Sequence, residues 1–348
     1  MVEVQRRVLY LHHRDSPPLH PNRQTLSAGR IKEPMSRKIR IVTSSFATLE
    51  DTRPPYNLRH PTPEENLQTA QLILETASAY KPDLVVLPEA FLLAGMPLSK
   101  VKDIAEAIPG PTFAVLASSC CAGNFNLVAG HVTHENGRYY NQALVLDRSG
   151  KLVGSYRKNY PVEEEIRCGV EPGRQPAAFD LDFGRIGVAI CFDLNWPGLW
   201  AALEKERIDF ACWISAYEGG FPVKNYAWQH RYPIVSSVWP YHARVVDITG
   251  EILASTSRWS RVAVCDLNLD RELFHTDLQM DKIAQIQARY GSAVSVRTYT
   301  EEHLILMESQ TPERSVRDLM DEYGLVRYAD YIQRCTDFRS QALNESLS

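Results

Sequence analysis

A strand with no polar face constrains this chain most. The run Leu84-Val-Val-Leu87, closed by Pro88 and preceded by Asp83, is too short for a helix and has no side suited to water. Such a strand must be covered on both faces, as in a layered α/β fold rather than a half-exposed antiparallel sheet. The run Arg185-Ile-Gly-Val-Ala-Ile190 has the same character, and each leads into a reactive side chain, Glu89 after the first and Cys191 after the second. A third strand-like stretch, Lys151-Leu-Val-Gly-Ser-Tyr-Arg157, delivers Lys158. A carboxylate, an ammonium and a thiol at strand ends can together make a base, an electrostatic clamp and a nucleophile. Each alone reads as a wet loop glutamate, a wet lysine or a small core cysteine.

The alternation continues along the chain. Arg40–Phe46 is rich in β-formers, and Thr62-Pro-Glu-Glu65 opens a helix expected to run to Ala79, with proline early and acids at the positive end. Val145–Val153 and Val246–Leu253 echo each other as strand, glycine-bearing turn and returning strand, and both are expected to be β-hairpins. Pro197–Arg207 reads as a helix, and Ile208–Ser215 and Arg261–Leu267 as strands. Residues 1–34, rich in Arg, His and Pro, are expected to be a disordered extension; several arginines also suit a mitochondrial presequence, which Glu3 and Asp15 oppose. The main domain is placed at 35–300. Residues 301–348 are expected to be a helical extension, because Val316, Leu319, Met320 and Tyr323 recur at helical spacing.

Composition narrows the function classes. With 348 residues, 44% hydrophobic and 23% charged, the whole chain is not disordered. A net charge of -4 with interspersed signs offers no footprint for nucleic acid or an anionic membrane, so a small-molecule substrate is expected and neither of those partners. No apolar run is long enough to span a bilayer, and the seven cysteines form neither a disulfide framework nor a zinc pattern. A cytoplasmic location in a reducing compartment is expected. His131 and His134, three apart in a strand, would face opposite sides, so no metal site is expected there. No phosphate loop, dinucleotide fingerprint or serine elbow occurs, and no cofactor is implied.

The three elements Leu84–Glu89, Tyr156–Lys158 and Cys191-Phe-Asp-Leu-Asn-Trp-Pro197, in this order, resemble the carbon–nitrogen hydrolase (nitrilase) superfamily over most of the chain. The resemblance implies an α/β fold, a four-layer α-β-β-α sandwich, with Glu89 as general base, Lys158 as oxyanion stabiliser and Cys191 as nucleophile. It implies a thioester intermediate and a homodimer or larger homo-oligomer. A second glutamate follows the lysine in many members; Glu163, Glu164 and Glu165 compete for that place, and Glu165 is chosen for its spacing from Pro172-Gly173. The Phe192 N–H is expected to point at the oxyanion. Asp193, Asn195, Trp196, Tyr217 and Glu218 are expected near the substrate, although Asp193 equally suits a helix cap. Cys191-Phe192-Asp193 resembles the amidase and carbamoylase branch, so hydrolysis of a small amide or N-carbamoyl compound is expected. The alternatives are a nitrile hydrolase and a catalytically silent scaffold.

Overall fold

The apolar periodicity of the chain is resolved into two six-stranded sheets laid face to face. The computed structural model describes residues 37–47, 61–277 and 279–346; the expected extension at 1–34 lies outside them. In chain order the strands are β1 (Lys38–Ser44), β2 (Leu84–Val86), β3 (Asn126–Glu135), β4 (Arg138–Leu146), β5 (Leu152–Arg157), β6 (Ala177–Leu181), β7 (Gly184–Ile190), β8 (Phe210–Ser215), β9 (Ile234–Val238), β10 (Arg244–Val246), β11 (Ile252–Ser255), β12 (Val262–Asn268), β13 (Arg271–His275), β14 (Val294–Tyr299) and β15 (Leu304–Ser309). The helices are α1 (Pro63–Ser78), α2 (Pro111–Gly123), α3 (Glu163–Arg167), α4 (Pro197–Lys205), α5 (Phe221–His230), α6 (Met280–Tyr290), α7 (Val316–Tyr323) and α8 (Tyr328–Ser346). The first sheet runs β12-β1-β2-β3-β4-β5 and the second β11-β10-β9-β8-β7-β6.

Side-chain alternation assigns the layers. Ile39, Ile41, Leu84, Val86 and Val128 of the first sheet meet Ile186, Val188, Ile190, Phe210, Cys212 and Ile214 of the second. One residue out of phase, Val42, Val85, Leu127 and Ala129 face α1 and α2 through Ala70, Ile73, Leu74 and Leu116. On the other side Ala189, Ala211 and Trp213 face α4 and α5 through Trp200, Leu203, Val223 and Ala227. The result is the expected four-layer sandwich, in which every central strand is dry on both faces.

Local chemistry explains the element ends. Thr62 caps α1 in a reciprocal box with Glu65 (2.8 and 3.2 Å), and the helix stops one residue short of the expected Ala79. The two hairpins β4–β5 and β10–β11 turn on Gly150 and Gly250, at φ +75° and +77°, where a side chain would be strained.

The expectation of a purely helical tail is corrected. Residues 294–309 form the hairpin β14–β15, which with β13 makes a third, three-stranded sheet ordered β13-β15-β14. Position 300 therefore falls in a hairpin turn. Phe274, Ile283, Ile286, Ile305, Met307, Val316 and Leu319 give this sheet its own core with α6 and α7, so the amphipathic spacing of α7 packs on its own domain. His131 is buried and His134 exposed, on opposite sides of β3.

Candidate active site

The carboxyl ends of β2, β5, β7, β8 and β9 converge, and a residue within three positions past each supplies one part of a single cluster. Beyond β2, Pro88 ends the ladder and Ala90 takes φ +37°, turning Glu89 inward at 3% exposure. Past β5 stands Lys158, 2% exposed. The ammonium donates to Glu89 Oε1 and to Glu165 Oε2, both at 2.7 Å. Glu165 sits on the short helix α3 and reaches back to the Val162 N–H (2.7 Å), which fixes its rotamer. Of the three adjacent glutamates only this one is buried, while Glu163 pairs with Arg167 in solvent.

Past β7, Cys191 adopts φ +49°, a strained turn for a residue with a Cβ and typical of positions whose direction matters. The Trp213 indole N–H holds its carbonyl (3.1 Å). Its thiol lines one cavity together with Glu89, Lys158 and Ala216. The Ala216 N–H donates to Glu89 Oε2 at 2.9 Å. Burial pushes the Cys191 thiol well up from its ordinary value, the Glu89 charge adds to this, and Lys158 only partly opposes it. Burial works to lower the Lys158 pKa, but Glu89, Cys191 and Glu165 outweigh it, so the ammonium stays charged. Phe192 carries the second N–H of the 3-10 turn Cys191–Asn195, where the leading donors lack an intrahelical acceptor.

Two residues that the motifs do not single out complete the cluster. Asn141 on β4 donates from Nδ2 to both Glu89 Oε1 (2.7 Å) and Glu165 Oε1 (2.8 Å). Trp239, just past β9, donates its indole N–H to the Glu89 carbonyl (2.7 Å). The polar pair Asn141-Gln142 inside the otherwise apolar half of β4 is the signal that could have found the first. These groups open onto a cavity of about 210 Å³.

The residues expected near the substrate lie around the turn that carries Cys191. Asp193 is fully buried and spent on structure: Oδ2 accepts from Ile190 N (2.9 Å) and the Tyr156 hydroxyl (2.8 Å), and Oδ1 from Tyr160 N (2.9 Å). It ties the turn carrying Cys191 to the strand end carrying Lys158. Burial pushes its pKa up to about 6 against the pull of these three donors. Asn195 is exposed and donates to the Phe192 carbonyl (3.1 Å), and Trp196 stacks on Tyr160 (3.9 Å between centroids). Tyr217 packs edge-on against Trp213, and Glu218 pairs with His242 (2.7 Å). None of Asp193, Asn195, Trp196, Tyr217 or Glu218 lines the cavity; at that strand end the wall is Ala216. Among the described residues no group of three or more His, Cys, Asp or Glu could hold a metal ion.

The family model for carbon-nitrogen hydrolases matches residues 53–272, which span the whole constellation. The chain belongs to the carbon-nitrogen hydrolase family. Among curated relatives of this chain, hydrolase C26A3.11 of Schizosaccharomyces pombe is 29% identical over 168 residues, covering 45% of this chain and 51% of that one. The omega-amidase NIT2 of Danio rerio is also 29% identical over 168 residues, covering 45% and 58%. The chain thus spans about half the length of the curated relatives it matches. In fold it is similar to the crystal structure of Saccharomyces cerevisiae Nit3, a member of branch 10 of the nitrilase superfamily. The TM-score is 0.58 at 18% identity, over 74% of this chain and 96% of that one. It is also similar to an amidase from Nesterenkonia sp. AN1 solved in complex with butyramide, with TM-score 0.58 at 16% identity over 72% and 97%.

Proposed function

We propose that this hydrolase cleaves the carbon–nitrogen bond of a small amide or N-carbamoyl compound, with Cys191 as nucleophile. The observation that carries the reading is the Cys191 thiol, held on a positive-φ turn in the same cavity as the Glu89 carboxylate, whose Oε1 is clamped by Lys158. A buried group of two carboxylates and one ammonium is poor material for a scaffold, since apolar residues of similar volume would stabilise the fold as well or better.

In this reading Glu89 takes the thiol proton as the sulfur attacks the carbonyl carbon. The carbonyl π-pair moves to oxygen, where the Lys158 ammonium and the Phe192 N–H stabilise it. Collapse of the tetrahedral intermediate expels the amine, which receives the proton from Glu89, and leaves a thioester on Cys191. Water then gives a proton to Glu89 and attacks the thioester, releasing the carboxylic acid and restoring the thiol. Glu165 and Asn141 hold Lys158 and Glu89 in register rather than exchanging protons. The relatives named omega-amidases and the neighbour with bound butyramide support the amide side of the reading.

The test is mass-spectrometric product detection on a panel of amides, N-carbamoyl amino acids and nitriles, run in parallel with wild type and Cys191→Ala. Carboxylic acid and ammonia formed by wild type alone are expected. Turnover unchanged in the variant would end the proposed mechanism, and a nitrile consumed much faster than its amide would move the activity to the nitrilase class.

A further inference from the structure

A second cavity, of about 290 Å³, shares no lining residue with the one at Cys191. Asn225, Trp228 and Gln229 of α5, with Arg231 just past it, form one wall, and the third sheet with the start of α8 forms the other. The residues of that second wall, Leu273, Leu304 and Tyr328, all follow position 272, where the match to the family model ends. Half of the cavity is therefore built by elements beyond the matched region.

The lining has the chemistry of a small-molecule site, a hydrocarbon floor with a few polar groups around it. Leu273 and Leu304, each 1% exposed, supply the floor, and the half-buried Trp228 adds an aromatic flank. Asn225 and Gln229, four apart on α5, bring their amides to the same wall. Arg231 is fixed at both ends. Its backbone caps α5 at φ +58° with the N–H on the Ala227 carbonyl (2.9 Å), and its guanidinium stacks over Tyr328, 4.5 Å from the ring centroid. Its one side-chain hydrogen bond among the described residues is a long one, 3.5 Å to the Gln229 carbonyl, against five donors in the planar fork. Two acids stand nearby. Asp330 is held by Arg327 through both oxygens (2.7 and 2.8 Å). Glu272 accepts the Leu273 N–H (3.0 Å), and burial pushes its carboxyl up toward the neutral form, against the pull of Arg327 and Arg231.

We propose that this cavity binds a small aromatic carboxylate. The ring lies on Leu273 and Leu304 beside Trp228, and the carboxylate takes paired hydrogen bonds from the Arg231 guanidinium. At roughly 30 Å³ per water-sized group the volume admits about ten non-hydrogen atoms, the size of phenylacetate. A neutral ligand of the same shape loses the charge-assisted bonds, and an anion without the ring loses the floor. Binding here is independent of turnover at Cys191.

The experiment titrates the full chain with phenylacetate by calorimetry, with 2-phenylethanol as the neutral counterpart and acetate as the anion without a ring. Wild type is expected to bind phenylacetate with a Kd of about 1 mM or tighter, and each control at least about tenfold more weakly. Arg231→Gln should weaken phenylacetate at least about tenfold. Asn225→Asp, at an exposed position of α5, sets a carboxylate in the wall and should weaken phenylacetate while leaving 2-phenylethanol unchanged. This second variant keeps the test open should Arg231→Gln fail to fold, which its urea midpoint would show. Saturation not approached by about 10 mM phenylacetate overturns the proposal. So does binding that both variants leave unchanged, which would place the ligand in the catalytic cavity or elsewhere. Equal affinity for 2-phenylethanol would remove the carboxylate from the ligand class and the role from Arg231.

Discussion

In the proposed reaction Cys191 enters as a thiol rather than a resting thiolate. Burial and the facing Glu89 charge both raise its pKa, and the Lys158 ammonium only partly offsets them. A raised thiol pKa means the proton stays on sulfur through neutral pH and leaves only above the ordinary thiol range of about 8.5. In the proposed mechanism activation is then coupled to attack, with Glu89 receiving the proton at the moment the carbon–sulfur bond forms. The difference in thiolate absorbance between wild type and Cys191→Ala should therefore stay flat from about pH 6 to about pH 8 and rise only above it. A step below neutral pH would mean that Lys158, not Glu89, dominates the thiol, and that an ion pair precedes substrate.

At the scale of elements, the cluster depends on how closely strands pass one another. Gly130 of β3 crosses the end of β2, where its N–H meets the Pro88 carbonyl at 3.2 Å. A Cβ at this position would collide with the Glu89 Cα and lie 2.5 Å from Ala90 N and Pro88 O, backbone atoms that cannot swing away. Gly130→Ala is expected to move Glu89 and lower kcat by about a hundredfold, the loss that a misplacement near 1 Å can cause. Overpacking should also cost about 1–3 kcal/mol of stability. Steady-state kinetics beside urea unfolding separates the two effects, and full activity in a folded Gly130→Ala protein would break the link between β3 packing and the base. Glycine in an apolar strand marks a close approach in the sequence, yet what approaches is known only once β2 and β3 are paired.

At the scale of the molecule, the third sheet is tied to the sandwich by a buried charge. Asp247 opens the β10–β11 turn with no exposure and takes Arg271 of β13 and Arg297 of β14, the latter at 3.1 Å. Arg271 also pairs with Glu308 of β15. Arg271→Ala leaves Asp247 partly unpaired in the interior and should destabilise the protein by about 3 kcal/mol, visible as a lower urea midpoint. A change below about 0.5 kcal/mol, the range of ordinary surface substitutions, would show that the pair does not hold the sheet in place. The echo hairpin exposes the contrast. Asp147 begins the same kind of turn on β4–β5, but it is only half-buried and satisfies Ser149 and Lys151 of its own loop.

From sequence alone, the dry strands, the two glycine turns, the cap at Thr62 and the order Glu89, Lys158, Cys191 could be read. They rest on interactions within a few residues and on the rule that apolar runs go inside. Tertiary structure alone decided the rest. It turned Asp193 inward to three donors, brought Asn141 between two carboxylates 24 and 52 residues away, and gave the cavity its hydrocarbon wall. It also placed β15 where a helix was expected, because Leu304–Ser309 can bury its apolar residues only against β13 and β14. The physical reason is common to all of these. A polar side chain in a buried position has several short-range ways to be satisfied, and only the packing of distant strands selects among them.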